Sequence, residues 1–229
     1  MNPAILSSFQ LTGRVATHVR EVPELGARLH ADVVEPAFNM RAAAAAAGLD
    51  LAIVSSFRDF DRQVLIWNAK YRGERPLLDR GGRLLNAADL DDSTRVDAIL
   101  LWSALPGASR HHWGTDIDVI DRRAVAADYR PQLTVDEFSG GGPFAQLNAW
   151  LGANLGNHGF FRPYTTYLGG VQPEPWHLSY APVAVPALQH LSLEVLYEAI
   201  ERSEILGRDH VLARLPGIHA KYVMAVDSG

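Results

Sequence analysis

Two short stretches far apart in the chain carry the residue types that a metal-dependent hydrolysis needs. The first reads Ser109-Arg110-His111-His112-Trp113-Gly114-Thr115-Asp116-Ile117-Asp118 and the second Glu174-Pro175-Trp176-His177. A catalytic zinc commonly takes three nitrogen or oxygen ligands and keeps a fourth position open for the water to be activated. His111, Asp118 and His177 fill such a set, for one ion per chain. Glu174 stands three residues before His177, so its carboxylate can lie beside the ion without binding it, which is where a general base belongs.

The offset between His111 and Asp118 is odd, and on an unbroken strand it would send the two side chains to opposite faces. Gly114 supplies the break, because glycine tolerates the backbone angles of a tight turn. A loop that carries His111, turns at Gly114 and enters a strand at Thr115 aims both groups at one point. In that strand Ile117 and Val119 are expected on the core face and Asp116 and Asp118 on the other, which makes Asp116 a rival ligand. His112 is off this register and is read as lying behind the ligands or facing substrate. Alone, each residue has a bland reading: most of the nine histidines earn no functional claim, and a lone Asp118 would be a turn or cap residue. The combination, in order and with a spare glutamate, carries the metal reading.

These residues resemble the zinc D-alanyl-D-alanine carboxypeptidases and dipeptidases of the vancomycin-resistance (VanY-like) type. Ser109, His111, Gly114 and Asp118 match that family's Ser-x-His-x-x-Gly-x-x-x-Asp signature, and Glu174, Trp176 and His177 match its Glu-x-x-His signature with tryptophan before the histidine. A third block, a strand ending in an arginine-bearing turn followed by a glutamine, looks like Leu51 to Arg58 with Gln63. The resemblance spans roughly residues 30–182; residues 186–229 read as a C-terminal helical segment. It implies a zinc peptidase acting on a peptidoglycan stem peptide or D-alanyl-D-alanine fragment, first of all a D,D-carboxypeptidase. In that frame Glu174 is the base and Arg58 steadies the carbonyl oxygen as it becomes an oxyanion, while Ser109, Gln63, Arg110 and Trp176 face substrate; Arg110 is equally read as a solvated surface charge. L,D-carboxypeptidases and L-alanyl-D-glutamate endopeptidases share these signatures and form the alternative. A non-catalytic zinc-dependent binder of cell-wall peptides is the other class, and Glu174 speaks against it, since a pure binder has no use for a base. Many members have a small residue where Asp116 stands.

The elements needed to position these groups predict an α+β fold: a small antiparallel-rich sheet carrying the metal site, flanked by helices, with residues 1–229 as a single compact domain. Helices are expected over Asp32–Ala47 with Asp32 as N-cap, over Phe60–Tyr71 capped by Asp59, from Ser93 or Thr94 to Leu105, after Pro143, and from Ser192 onward. Leu51–Ser55 and His177–Tyr180 read as strands, 75–92 as a long surface loop, and the last thirty residues as helix plus a short terminal strand. Phe161, Tyr164 and Tyr167 are candidates for the cleft wall and equally for ordinary packing.

Composition narrows the classes. A hydrophobic share of 48% over 229 residues can bury one sizeable core. A formal charge of −5 argues against nucleic acid as partner, since phosphate backbones call for a basic stripe. No apolar run approaches the length that spans a bilayer. Met1 to Arg14 lacks the basic start and apolar block of a secretory signal, so the sequence at face value reads as cytoplasmic, with a periplasmic site requiring another export route. The chain has no cysteine, which excludes disulfides and thiolate ligands and with them a closed cysteine-rich structural zinc site.

Overall fold

The computed structural model describes residues 5–227. Its strands run in chain order β1 (Val19–Val22), β2 (Ala27–His30), β3 (Leu51–Ser55), β4 (Leu77–Leu78), β5 (Leu84–Leu85), β6 (Asp116–Asp121), β7 (Phe160–Phe161) and β8 (His177–Tyr180). β1 pairs with β2 and β4 with β5, while β3, β6, β8 and β7 lie side by side in that order. All these pairings are antiparallel. The helices are α1 (Ser8–Leu11), α2 (Val34–Ala46), α3 (Phe60–Tyr71), α4 (Asp92–Leu100), α5 (Val135–Phe138), α6 (Ala145–Asn154), α7 (Ala181–His190), α8 (Leu193–Glu201) and α9 (Arg208–Ile218). The architecture is the α+β class expected.

Local chemistry explains where these elements begin. Asp59 is extended and its side chain accepts the Arg62 N–H at 2.7 Å, which satisfies an orphan donor and starts α3 as anticipated. α2 starts later than expected. Asp32 sits inside a 3-10 turn, Ala31–Val33, and its N–H is accepted by His30 Nδ1 at 3.2 Å; the α-helix proper follows from Val34. α4 begins at Asp92, capped by Asp91, and stops at Leu100 rather than Leu105. Beyond it Trp102 donates its indole N–H to Asp79 O at 3.2 Å and Leu105 is buried in the core. The expected surface loop 75–92 holds the β4–β5 hairpin, and no terminal strand forms before residue 227: α9 continues as a wide turn, His219–Val223, that buries Tyr222 and Val223.

Two apolar clusters result. One joins Ile117, Val119 and Leu178 of the main sheet to Met40 and Ala44 of α2 and to Leu147 and Leu151 of α6. The other gathers Trp67 of α3, Ile99 of α4, Ala184 of α7, Leu196 and Ile200 of α8 and Leu215 of α9. Side chains alternate across a strand, so with Ile117, Val119 and Leu178 committed to the first cluster, Asp116, Asp118, His177 and Ser179 point to the opposite face. That face opens on a groove. No described helix is long and apolar enough to cross a membrane.

Candidate active site

The antiparallel register does much of the assembly. Asp118 lies directly opposite His177 and Asp116 opposite Ser179, and directly opposed residues on one face have Cβ atoms about 5 Å apart. His111 arrives from a 3-10 turn, Arg110–Trp113, that ends at Gly114 with φ 68°, so the odd offset is broken where the sequence suggested. A Cβ at Gly114 would lie 2.5 Å from Val19 Cγ1 and 2.8 Å from His30 N, which leaves glycine as the residue that fits.

The turn is fastened from behind. His112 is fully buried: its Nδ1–H donates to Arg58 O at 2.6 Å and its Nε2 accepts the Gly107 N–H at 3.1 Å. Burial takes this imidazole down to about 3, which keeps it neutral, as a ring that both donates and accepts must be. Of its two sequence readings the substrate-facing one falls; His112 ties the metal turn to the backbone of Arg58.

Ligand atoms of His111, Asp118 and His177 all lie within 4.8 Å of one another, and the two imidazole rings are 4.9 Å apart at their centroids. Second contacts orient both rings. His111 Nδ1–H donates to Ser56 O at 2.9 Å, leaving Nε2 facing Asp118 Oδ2 at 3.5 Å. His177 Nε2–H donates to Asp116 Oδ1 at 2.9 Å, leaving Nδ1 at 3.3 Å from Asp118 Oδ1 and 3.2 Å from Glu174 Oε2. Asp118 Oδ1 is buried with no aligned hydrogen-bond donor. Imidazoles whose other nitrogen is held by a carbonyl or carboxylate are typical of metal ligands. Burial opposes charge on His177, yet Asp116, Asp118 and Glu174 hold it well above the ordinary histidine range; Asp118, also against burial, is held well below the ordinary carboxylate range by His111 and His177. Three carboxylates converging on two imidazoles favour a cation, and the donor set of two nitrogens and a carboxylate oxygen suits a divalent ion such as zinc.

Asp116 is not free to compete for that ion. Its Oδ1 accepts from Arg110 Nε at 2.8 Å as well as from His177, and its Oδ2 accepts from Thr115 Oγ1 at 2.6 Å and Ser179 Oγ at 3.1 Å. Four donors occupy the lone pairs of one carboxylate. The rival-ligand expectation is therefore corrected: Asp116 orients His177. Arg110, which also donates to Ser179 Oγ at 2.6 Å, is nearly fully buried, so a solvated surface role is excluded.

The remaining expected residues fall around one groove of about 1370 Å³ that is lined by Arg58, Ser109, Arg110, His111, Asp118, Glu174, Trp176 and His177. Gln63 is fully buried; it accepts from Arg58 Nη1 at 2.8 Å and donates to Ala104 O at 2.7 Å, which aims the guanidinium across the groove from Asp118 and Glu174. Trp176 is largely buried against Phe138, with ring centroids 5.7 Å apart. Tyr164 stands with its ring 5.3 Å from that of His177, and burial pushes its phenol up to about 12, so it remains a donor. Lys70, Arg75 and Arg80 also line the groove and went unremarked in the sequence. Lys70 follows Gln63 by seven residues, two helical turns on the same face of α3, and that spacing was the available signal.

Residues 26–183 match the VanY D-alanyl-D-alanine carboxypeptidase family. An uncharacterised protein of Haemophilus influenzae is 36% identical over 122 residues, covering 52% of this chain and 93% of its own length. Among solved structures the chain is similar to VanYB in complex with D-alanine-D-alanine, at 22% identity and a TM-score of 0.52 over 79% of this chain and 87% of that one. It is also similar to a variant of the vancomycin-resistance D,D-pentapeptidase VanY in complex with Zn(II), at 21% identity and a TM-score of 0.51, over 75% and 86% of the two chains. The family match defines a peptidase. The chain belongs to the VanY D-alanyl-D-alanine carboxypeptidase family.

Proposed function

We propose that the chain is a zinc D,D-carboxypeptidase that removes the terminal D-alanine from a peptidoglycan stem peptide or a D-alanyl-D-alanine fragment. The observation that carries this reading is the juxtaposition of His111, Asp118 and His177 with the Glu174 carboxylate and the Arg58 guanidinium at one groove. Family membership and the D-alanine-D-alanine complex of a structural relative support the substrate class.

His111 Nε2, His177 Nδ1 and one oxygen of Asp118 would hold a single zinc ion. When bound, zinc supplies Lewis acidity, lowering the pKa of water from about 15.7 toward 7 and polarising a carbonyl. Glu174 takes the proton from the attacking water and passes it to the departing amine of D-alanine. Arg58, held by Gln63, donates to the oxygen that becomes negative in the tetrahedral intermediate; a donor placed this way is typically worth about 3 kcal/mol in the transition state. Tyr164 also lines the groove, beside His177, and its neutral phenol is a further donor there. Ser109 lines the groove and hydrogen-bonds the peptide backbone. Gln63 and Arg110, being buried, act on substrate through Arg58 and through Asp116.

The test is to incubate purified muropeptides with the zinc-loaded protein and weigh the products. Loss of one D-alanine per pentapeptide is the expected result. Release of an intact stem peptide, or trimming confined to tetrapeptides, replaces this reading with an endopeptidase or an L,D-carboxypeptidase.

A further inference from the structure

One arm of the groove is walled by the α3 face and the chain that follows it, through Arg62, Ile66, Lys70, Arg75 and Arg80. Acids nearby are engaged outward: Glu74 pairs with Arg72 at 2.7 Å and Asp79 with Arg83 at 2.8 Å. Among the described residues Lys70 has no hydrogen bond and no carboxylate within 4.0 Å, although it is half-buried. Burial, with Arg75 and Arg58 nearby, lowers its ammonium to about 8, against the attraction of Glu174. Lys70 is therefore still largely protonated at neutral pH, desolvated and beside like charges, with its one attractive neighbour also at His177. A buried charge is ordinarily paired. This one faces a cavity.

We propose that Lys70, assisted by Arg75, is the subsite for the free terminal carboxylate of the peptide, and so a specificity determinant that restricts this chain to cleaving the last residue. Neither residue belongs to the three motif blocks. The inference rests on the peptidase reading for the position of the scissile bond, between Arg58 and Glu174. Lys70 lies about 10 Å along α3 from Gln63, and helical side chains lean toward the N-terminus, so its amine reaches back toward the Arg58 end of the groove. The charge that every carboxypeptidase substrate carries just beyond the scissile bond is the terminal carboxylate. An internal peptide bond presents a neutral amide there and leaves Lys70 uncompensated.

The experiment compares an N-acylated tripeptide ending in D-alanyl-D-alanine with its C-terminal amide, in wild-type protein, Lys70→Met and Lys70→Arg. A charge-assisted contact of this kind predicts that the wild type favours the free acid by about 10- to 100-fold in kcat/KM. Lys70→Met should collapse that ratio toward one, mainly by raising KM for the acid, and Lys70→Arg should restore part of it. Equal cleavage of acid and amide by the wild type, or a Lys70→Met protein that slows both alike with the ratio preserved, overturns the proposal. If neither peptide is cut, the peptidase reading fails separately, and calorimetric titration decides the subsite. Tighter binding of the acid that disappears in Lys70→Met supports it, and equal binding of acid and amide overturns it.

Discussion

The two walls of the groove handle charge in opposite ways. On the sheet wall charges of opposite sign face each other: Asp116 is met by Arg110, His177, Thr115 and Ser179, and Asp118 stands against the two imidazoles. On the α3 wall Lys70 stands near Arg58 and Arg75 with no carboxylate within ion-pair distance among the described residues. Around Asp116 the first wall is an internal network whose loss should be felt in the free protein. The second carries an electrostatic cost that a ligand relieves, so its loss should be felt in binding and little in folding.

Asp116→Ala gives the largest expected effect on stability. It strips Arg110 of its ion-pair partner inside the protein and frees the ring of His177 to rotate. Removing one partner of a buried pair costs about 3–5 kcal/mol, and losing a carboxylate that orients a ligating histidine costs about 10- to 100-fold in metal affinity. Denaturant unfolding of the metal-free protein and zinc competition against a chelator measure the two parts. A variant as stable and as zinc-avid as the wild type would show that the network is not what holds His177.

Gly114→Ala comes next. Placing alanine at φ 68° costs about 1–2 kcal/mol before its Cβ meets Val19 and the His30 backbone, so the turn must shift and carry His111 with it. A lowered melting temperature together with weakened zinc binding is expected; a drop in stability with zinc affinity intact would uncouple the turn from the ligand.

Lys70→Met on the other wall should make stability at neutral pH slightly higher, because a desolvated charge is removed. With a folded pKa of about 8 against 10.5 for the free side chain, the unfolded chain binds more protons between those values, so Lys70 contributes a rise in wild-type stability as pH climbs through that window. The difference between wild type and Lys70→Met should shrink over the same range. A difference independent of pH would place Lys70 in solvent rather than in the wall.

The contrast between walls also explains what the sequence disclosed. Sites that chain chemistry dictates locally were readable: the Asp59 cap, the strand at Leu51–Ser55, and the broken offset at Gly114. The grouping of His111, Asp118 and His177 was readable because two of them sit in short motifs at strand positions and the third lies just before the strand turn at Gly114. The hairpin of β4 and β5 was not, since strands of two residues show no period. Nor was the N-terminal hairpin, whose Val19–Val22 and Ala27–His30 segments mix charged and apolar residues. The role of Asp116 was not legible, because choosing between ligand and orienting carboxylate depends on which atoms already occupy its lone pairs. Lys70 escaped notice because a lysine on a helix ordinarily reads as a solvated face.

The most direct measurement pairs metal content with turnover in Glu174→Ala. Zinc should remain at the wild-type stoichiometry, since the proposed ligands are His111, Asp118 and His177 and not Glu174, while release of D-alanine from a D-alanyl-D-alanine peptide falls to background. A Glu174→Ala protein that keeps its zinc and still releases D-alanine at the wild-type rate would contradict the assignment of Glu174 as the base beside the metal.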